Sequence, residues 1–399
     1  MFTFIIFIAV LAVLVLSHEF GHFIVARRNG MGVEEFGFGF PPRLVGIRRV
    51  SFAGKKQWQV IRNRRQLEET AMHEHAGTIY SINLIPLGGF VRIKGEDPNV
   101  PGANDPDSFL SKKTWQKAGV VAAGVIMNVL LTVLLLSLGY MIGMPQVGDE
   151  ASPNSELQIV QVVPGRPAEV AGLHSGAKII SVHPESNPSD VLTHSSVTNF
   201  QKFVNDHRDE TLVFTISENG KEFTKNIKPT ILEGTNRAGI GVAIVNIGLL
   251  KYPWYRALYQ GVVDTGKYLV MIFAGLWFLI AGLFHGASVE GQVAGPVGVA
   301  VLTGEAARLG FVYLLQLMAL LSLNLAVVNI LPIPALDGGR LFFIIWNSVF
   351  KRPVTPRVEQ IIHTVGFFVL MALVVLITVN DVSTFKGTIS LWWNKLFNF

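Results

Sequence analysis

Cysteine is absent from the 399 residues. That removes disulfides, thiolate metal ligands and a cysteine nucleophile, and leaves the compartment open. No basic stripe with interleaved aromatics is present either, so the formal net charge of +5 is no nucleic-acid signal and nucleic acid is excluded as a partner. The first apolar run lacks a basic leader, and no small-x-small cleavage site follows it, which argues against a removable signal peptide. What the chain does have is apolar bulk. Half of it is hydrophobic and its mean hydropathy is positive, too apolar for an ordinary soluble enzyme. Charge is distributed by region. Residues 27–117 hold 15 Lys/Arg against 9 Asp/Glu, and residues 145–250 hold 8 against 12. The basic region reads as cytoplasmic and the acidic one as the opposite side.

These patterns predict a multi-pass α-helical membrane protein with an inserted α+β domain. Residues 1–27 form the first span; residues 2–26 make a helix of about 37 Å, ending at Arg27-Arg28 on the cytoplasmic side. Residues 28–116 are a mixed cytoplasmic region. Within it, around 77–94, Ile82 to Val91 is apolar but interrupted by Pro86, Gly88 and Gly89, and reads as a re-entrant β-loop or a buried strand. Residues 117–143 form the second span, where Gly124 and Asn128 share a face suited to helix packing. Residues 150–232 are a soluble α+β module outside, with strands at 157–163 and 211–216, a hairpin turn at Glu218-Asn219-Gly220-Lys221, and helices at 167–173 and 197–207. Residues 253–310 are membrane-associated or re-entrant helices, 311–342 a transmembrane helix, 359–380 the last span, and 381–399 an interfacial tail with Trp392, Trp393 and Phe397.

The chemistry gathers on the first span. His18 and His22 lie four apart on a helix, so both side chains reach one metal ion, and imidazole suits zinc. Glu19 adjoins them and can take a proton from water as a general base. The five-residue pattern arises by chance in about one such chain in a hundred. Its location weighs against chance: three such residues inside a bilayer helix each cost up to about 3 kcal/mol to insert, and call for a function. Asp337 is the only acid between Glu305 and Glu359, and it follows a run broken by Pro332 and Pro334. A broken helix beside an intramembrane acid suits a wet site; an ordinary helix-end acid at the surface is the alternative. A parity condition links the two halves. His18 lies roughly 13 Å from the cytoplasmic edge, so the segment leading to Asp337 must run in the same direction as the first span. Residues 256–284 are therefore expected not to cross singly.

His18 to His22, followed by Asn329-x-x-Pro332-x-Pro334-x-Leu336-Asp337-Gly338, resemble the site-2 protease family, most of all the bacterial regulated intramembrane proteases of the sigma-E regulator type. The resemblance implies zinc held by His18, His22 and Asp337, with Glu19 as base, in the bacterial cytoplasmic membrane. It implies that Asn329 and Pro332 shape the substrate groove. Residues 85–90, with Pro86, Gly88 and Gly89, match the family's re-entrant loop, whose extended backbone would pair with an unwound substrate. Gly124-x-x-x-Asn128 matches its second-span motif. The acidic module resembles a PDZ domain through Pro167-Ala168-x-x-Ala171-Gly172-Leu173-x-x-Gly176-x-x-Ile179. Ala177-Lys178 stand where many such modules carry an acid, and there is room for one module.

The expected reaction is hydrolysis of a peptide bond in a transmembrane segment of a membrane-protein substrate, such as an anti-sigma factor or a signal-peptide remnant. The module would act as a size filter or docking surface. A non-catalytic membrane scaffold with a recruiting module is the rival, and the intact Glu19 argues against it. A metal transporter fits less well. His73-Glu74-His75 lacks the four-residue spacing and reads as a solvated loop, and His285 and His363 read as packing or interface histidines.

Overall fold

The structure is a computed structural model that describes residues 2–52, 55–61, 77–96, 102, 104–147, 155–193, 196–218, 221–231, 237–285, 294–350 and 354–384. The chain divides into two compact units, Met1–Leu138 with Leu258–Arg308 and Leu314–Phe399, and Gly139–Ala257 with Leu309–Tyr313.

The proline-free apolar run at the N-terminus forms helix α1 (Phe2–Arg28), with Arg27 and Arg28 in its last turn. Gly30 ends it. At φ 66° it occupies the left-handed region, and the Gly30 and Met31 amides donate to the carbonyls of Arg27 and Ala26, the Schellman arrangement that favours glycine there. Strands β1 (Val33–Phe52), β2 (Lys55–Ile61) and β3 (Ile79–Ile93) form an antiparallel sheet in the order β2-β1-β3. The sheet curls tightly. Residues 33–38 of β1 pair on one side with residues 79–82 and on the other with residues 89–93. Glu35, 3% exposed, is held in the curl by Arg43 Nη2 at 2.6 Å and the Ser81 hydroxyl at 2.6 Å. Residues 82–91 are thus strand, with Gly88 at φ 108°, a conformation side chains resist. Helix α2 (Thr114–Ile142) follows and packs closely on α1, since a Cβ at Gly21 would overlap the Ala123 carbonyl.

The second unit is α+β. Its elements are β4 (Met144–Val147), β5 (Ser155–Val162), α3 (Pro167–Val170), β6 (Lys178–Pro184), β7 (Leu192–Thr193), α4 (Val197–Asp206), β8 (Leu212–Glu218), β9 (Lys221–Ile227), β10 (Thr230–Ile231), β11 (Ala238–Gly239) and β12 (Val242–Leu250). The main sheet runs β4-β12-β5-β6-β8-β9, with β7 on β6. Alternation along β8 buries Leu212, Phe214 and Ile216 against Phe200 and Val204 of α4, so one face of each element makes the core. Ser196 caps α4 by accepting the Asn199 amide at 3.1 Å. The expected helix at 167–173 is a single turn, because Gly172 at φ 76° closes it early.

Helix α5 (Trp254–Phe284) is continuous over 31 residues. The sequence keeps residues 256–284 from crossing alone; the structure gives them a helix long and apolar enough to cross by length and composition. Helix α6 (Pro296–Leu309) has its first-turn amides capped from a distance: Asp381 accepts from Gly295 N–H at 3.2 Å and Gly298 N–H at 2.7 Å. Where the sequence places one helix at 311–342 there are two, α7 (Phe311–Ile330) and α8 (Asp337–Val349). Pro332 and Pro334 break the run between them. Helix α9 (Pro356–Thr384) completes the described chain. Hydroxyls join α7 to α2, with Ser322 donating to the Asn128 carbonyl at 2.9 Å and Thr132 to the Ala319 carbonyl at 3.2 Å. Among the described residues, α1, α2, α5, α7 and α9 are long and apolar enough to cross a membrane. The turn at Asn219-Gly220, His73-Glu74-His75 and the tail beyond residue 384 lie outside the described residues.

Candidate metal centre

Three side chains from two distant parts of the chain converge. His18 and His22 stand one turn apart on α1, their Nε2 atoms 3.1 Å from each other. Asp337, the first residue of α8, brings Oδ2 to 3.0 Å from His18 Nε2 and 3.4 Å from His22 Nε2. One ligand atom from each residue lies within 4.8 Å of the other two, a group that could hold a metal ion.

The surroundings fit a divalent cation. His22 Nδ1 lies 2.8 Å from the Val120 carbonyl oxygen of α2, which can only accept, so Nδ1 carries the proton and Nε2 presents a lone pair to the cluster. Asp337 Oδ2 is buried and lacks a properly directed hydrogen-bond donor despite its closeness to both rings. An acceptor facing imidazole lone pairs is an arrangement that a cation bound between them satisfies. Helix α2 also leaves the space free: a Cβ at Gly124 would overlap His22 Nε2 and reach 2.6 Å from His18 Cε1. Two imidazoles and one carboxylate are the donor set of a catalytic zinc site with an open position.

Asn128 is fully buried one helical turn beyond Gly124, and its carboxamide lies 3.4 Å from His18 Nδ1. Its Oδ1 has no partner, and exchanging the amide's oxygen and nitrogen lets that oxygen accept the His18 Nδ1–H. Glu19, half-buried on α1, lies within electrostatic reach of His22, His18 and Asp337. The β3 backbone runs beside it, since a Cβ at Gly89 would sit 3.4 Å from Glu19 Cγ and 3.2 Å from Val15. Pro86 lies on β3, and its side chain is outside the described residues. Asn329 is half-buried in the last turn of α7 and Pro332 is exposed in the loop. Among the described residues, no hydrogen bond joins either to the metal cluster.

Several residues to which the sequence assigns no part in the site, His363 among them as a packing or interface histidine, complete the surroundings. Arg340, one turn after Asp337, forms an ion pair with Glu96, which follows β3. Lys94 is held above the usual lysine range by hydrogen bonds to Asp105 and Asp107, at 2.6 and 2.8 Å, bracing the same loop. The His363 ring accepts the Ala335 amide at 2.9 Å, two residues before Asp337. Glu96, Arg340 and His363 line a cavity of about 1040 Å³, together with Glu34, Arg92 and Glu359.

Comparison with known proteins identifies the family. The profile of Peptidase family M50 matches residues 6–61 and 66–373. The zinc metalloprotease RasP of Geobacillus kaustophilus is 28% identical over 461 residues, covering 95% of this chain and 97% of its own length. A Brucella suis biovar 1 protein is 30% identical, covering 95% of this chain and 94% of its own length. A Clostridium perfringens strain 13 protein is also 30% identical, covering 92% and 95%. Both are provisionally named zinc metalloproteases. The chain belongs to peptidase family M50, the site-2 proteases. It is a zinc metalloprotease built as an integral membrane protein.

Proposed function

We propose that this chain cleaves peptide bonds within transmembrane segments of other membrane proteins, in the bacterial cytoplasmic membrane. In this reading His18, His22 and Asp337 hold the zinc and Glu19 is the general base. The convergence of those three ligand atoms, supplied by separate apolar segments, carries it. When bound, zinc supplies Lewis acidity that polarises a peptide carbonyl and acidifies water. The Glu19 carboxylate takes the water's proton and returns it to the leaving amine nitrogen. The Val120 carbonyl and Asn128 hold the two imidazoles in the tautomers that leave Nε2 free.

A helical substrate hides its carbonyls, so it must unwind before it reacts. Residues 89–93 lie at the edge of the curled sheet and run past Glu19, which suits addition of the substrate as an extended strand. In this reading Pro86, Gly88 and Gly89 shape that edge, and Asn329 and Pro332 shape the substrate groove, as the family resemblance implies. The tip of the sheet exposes Phe40, Leu44, Ile82, Leu84 and Ile85, apolar residues that suit a loop re-entering the bilayer. In the α+β unit the 167–173 turn and the α4 helix support a PDZ-like reading, with docking or size selection as its role. An anti-sigma factor or a signal-peptide remnant is the substrate class proposed.

The test is Glu19→Gln. The variant should bind zinc and fold as the parent does, and should not cut a membrane-embedded reporter. Cleavage at the parent rate would end the assignment of Glu19 as base.

A further inference from the structure

The loop at 331–336 delivers Asp337 to the two histidines, and its own hydrogen bonds are short-range: the Ile333 N–H donates to the Leu331 carbonyl at 2.7 Å, and the Leu336 N–H donates to the Ile333 carbonyl at 3.2 Å, closing a turn with Pro334 and Ala335 at its centre. Leu336 precedes α8 with no side-chain cap. Ala335 stands at φ 75°, the sole non-glycine residue with positive φ among the described residues. An L-residue with a Cβ resists that conformation and keeps it only when its surroundings hold it. Helix α9 does so. The Ala335 N–H donates to His363 Nδ1 at 2.9 Å. Since the amide is the donor, Nδ1 is the acceptor and the neutral ring carries its proton on Nε2. Three residues further along α9, Gly366 allows a close approach: a Cβ there would overlap the Pro334 side chain and lie 2.9 Å from its carbonyl oxygen. On the far side the His363 ring packs against Phe343 of α8, with centroids 5.7 Å apart. The imidazole is thus wedged between the loop that precedes Asp337 and the helix that Asp337 begins.

We propose that His363 is a positioning residue for the metal centre, its Nδ1 fixing Ala335 in the left-handed turn that aims the Asp337 carboxylate at His18 and His22. This rests on the reading of Asp337 as a zinc ligand. The connection is short. Only Leu336 separates Ala335 from Asp337, so a rotation of the Ala335 peptide changes the direction in which α8 begins. A histidine that only fills space would act through its ring instead. The two roles respond differently to substitution, because phenylalanine keeps a ring and loses the acceptor, whereas asparagine places an oxygen near Nδ1 and loses the ring.

The experiment measures zinc affinity by competition with a chelating dye on the full chain in detergent, beside its thermal unfolding. His363→Phe should weaken zinc binding about tenfold or more, as loss of groups that orient metal ligands does. His363→Asn should retain the parent affinity. Parent affinity in a folded His363→Phe, or equal weakness in both variants, would overturn the proposal. Should His363→Phe fail to fold, His363→Asn decides alone, parent affinity supporting the proposal and lost affinity overturning it. Asp337→Ala serves as the control. If it binds zinc like the parent, the ligand assignment fails, and that failure is distinct from a failure confined to His363.

Discussion

At the scale of single residues, the centre depends on where side chains are absent as much as on where they are present. Gly124 leaves room for the His18 and His22 rings, and its smallest replacement brings a methyl group into their space. Gly124→Ala should therefore lower zinc affinity and activity by about tenfold or more, a loss in the range seen when ligand orientation is disturbed, while helix content stays unchanged. Zinc quantification beside circular dichroism checks this, and a fully loaded variant would contradict it. The histidine half of the site was legible in the sequence because four-residue spacing on a helix is a geometric statement in itself. Asp337 was legible because two prolines and a lone acid interrupt an apolar run. The contacts of Gly124 with the two imidazoles and of His363 with Ala335 were not legible. A glycine that clears space for a ligand looks like one that packs helices, and a single histidine shows its partner only when a distant loop reaches it.

At the scale of elements, the curled sheet sets the proposed base and the proposed substrate edge side by side. A carbon added at Gly89 would lie 3.4 Å from Glu19 Cγ, and closer still to the Gly37 carbonyl oxygen at 3.1 Å and to Val15 at 3.2 Å. Gly89→Leu should lower kcat and leave zinc content untouched, because the added bulk meets the Gly37 carbonyl, Val15 and Glu19 and none of the three proposed ligands. A turnover assay paired with zinc analysis separates these outcomes, and unaltered kcat would count against the placement. A second prediction concerns α6. Asp381 accepts two amides at its start, so Asp381→Ala should destabilise the protein by about 1–2 kcal/mol, the usual range for a lost helix cap. Unfolding in denaturant measures it, and no change would contradict it. Hydrophobic runs mark α1, α2, α7 and α9, and alternation marks β5 and β8, whereas β12, which pairs between β4 and β5, lies beyond the expected module at 150–232. The length of β1 does not, because Gly, Pro and Arg interrupt its pattern and its pairing comes from residues of β3 that are remote in sequence. The split of 311–342 into α7 and α8 follows from the prolines, although where α8 restarts depends on the loop's tertiary contacts.

At the scale of the whole molecule, the three proposed ligands belong to the first unit and the α+β unit has its own core. Removing zinc should loosen amide protection around α1, the 331–336 loop and the start of α8, and leave β5, β6 and β8 as protected as before. Hydrogen exchange with and without a chelator reads this directly, and loss of protection in β8 would contradict the division. The most direct test of the central claim is zinc K-edge X-ray absorption on the purified protein and on Asp337→Ala. The parent should show two imidazoles and one carboxylate at about 2.0–2.2 Å. Asp337→Ala should lose the carboxylate signal and bind zinc weakly. An identical spectrum from both proteins would contradict the account.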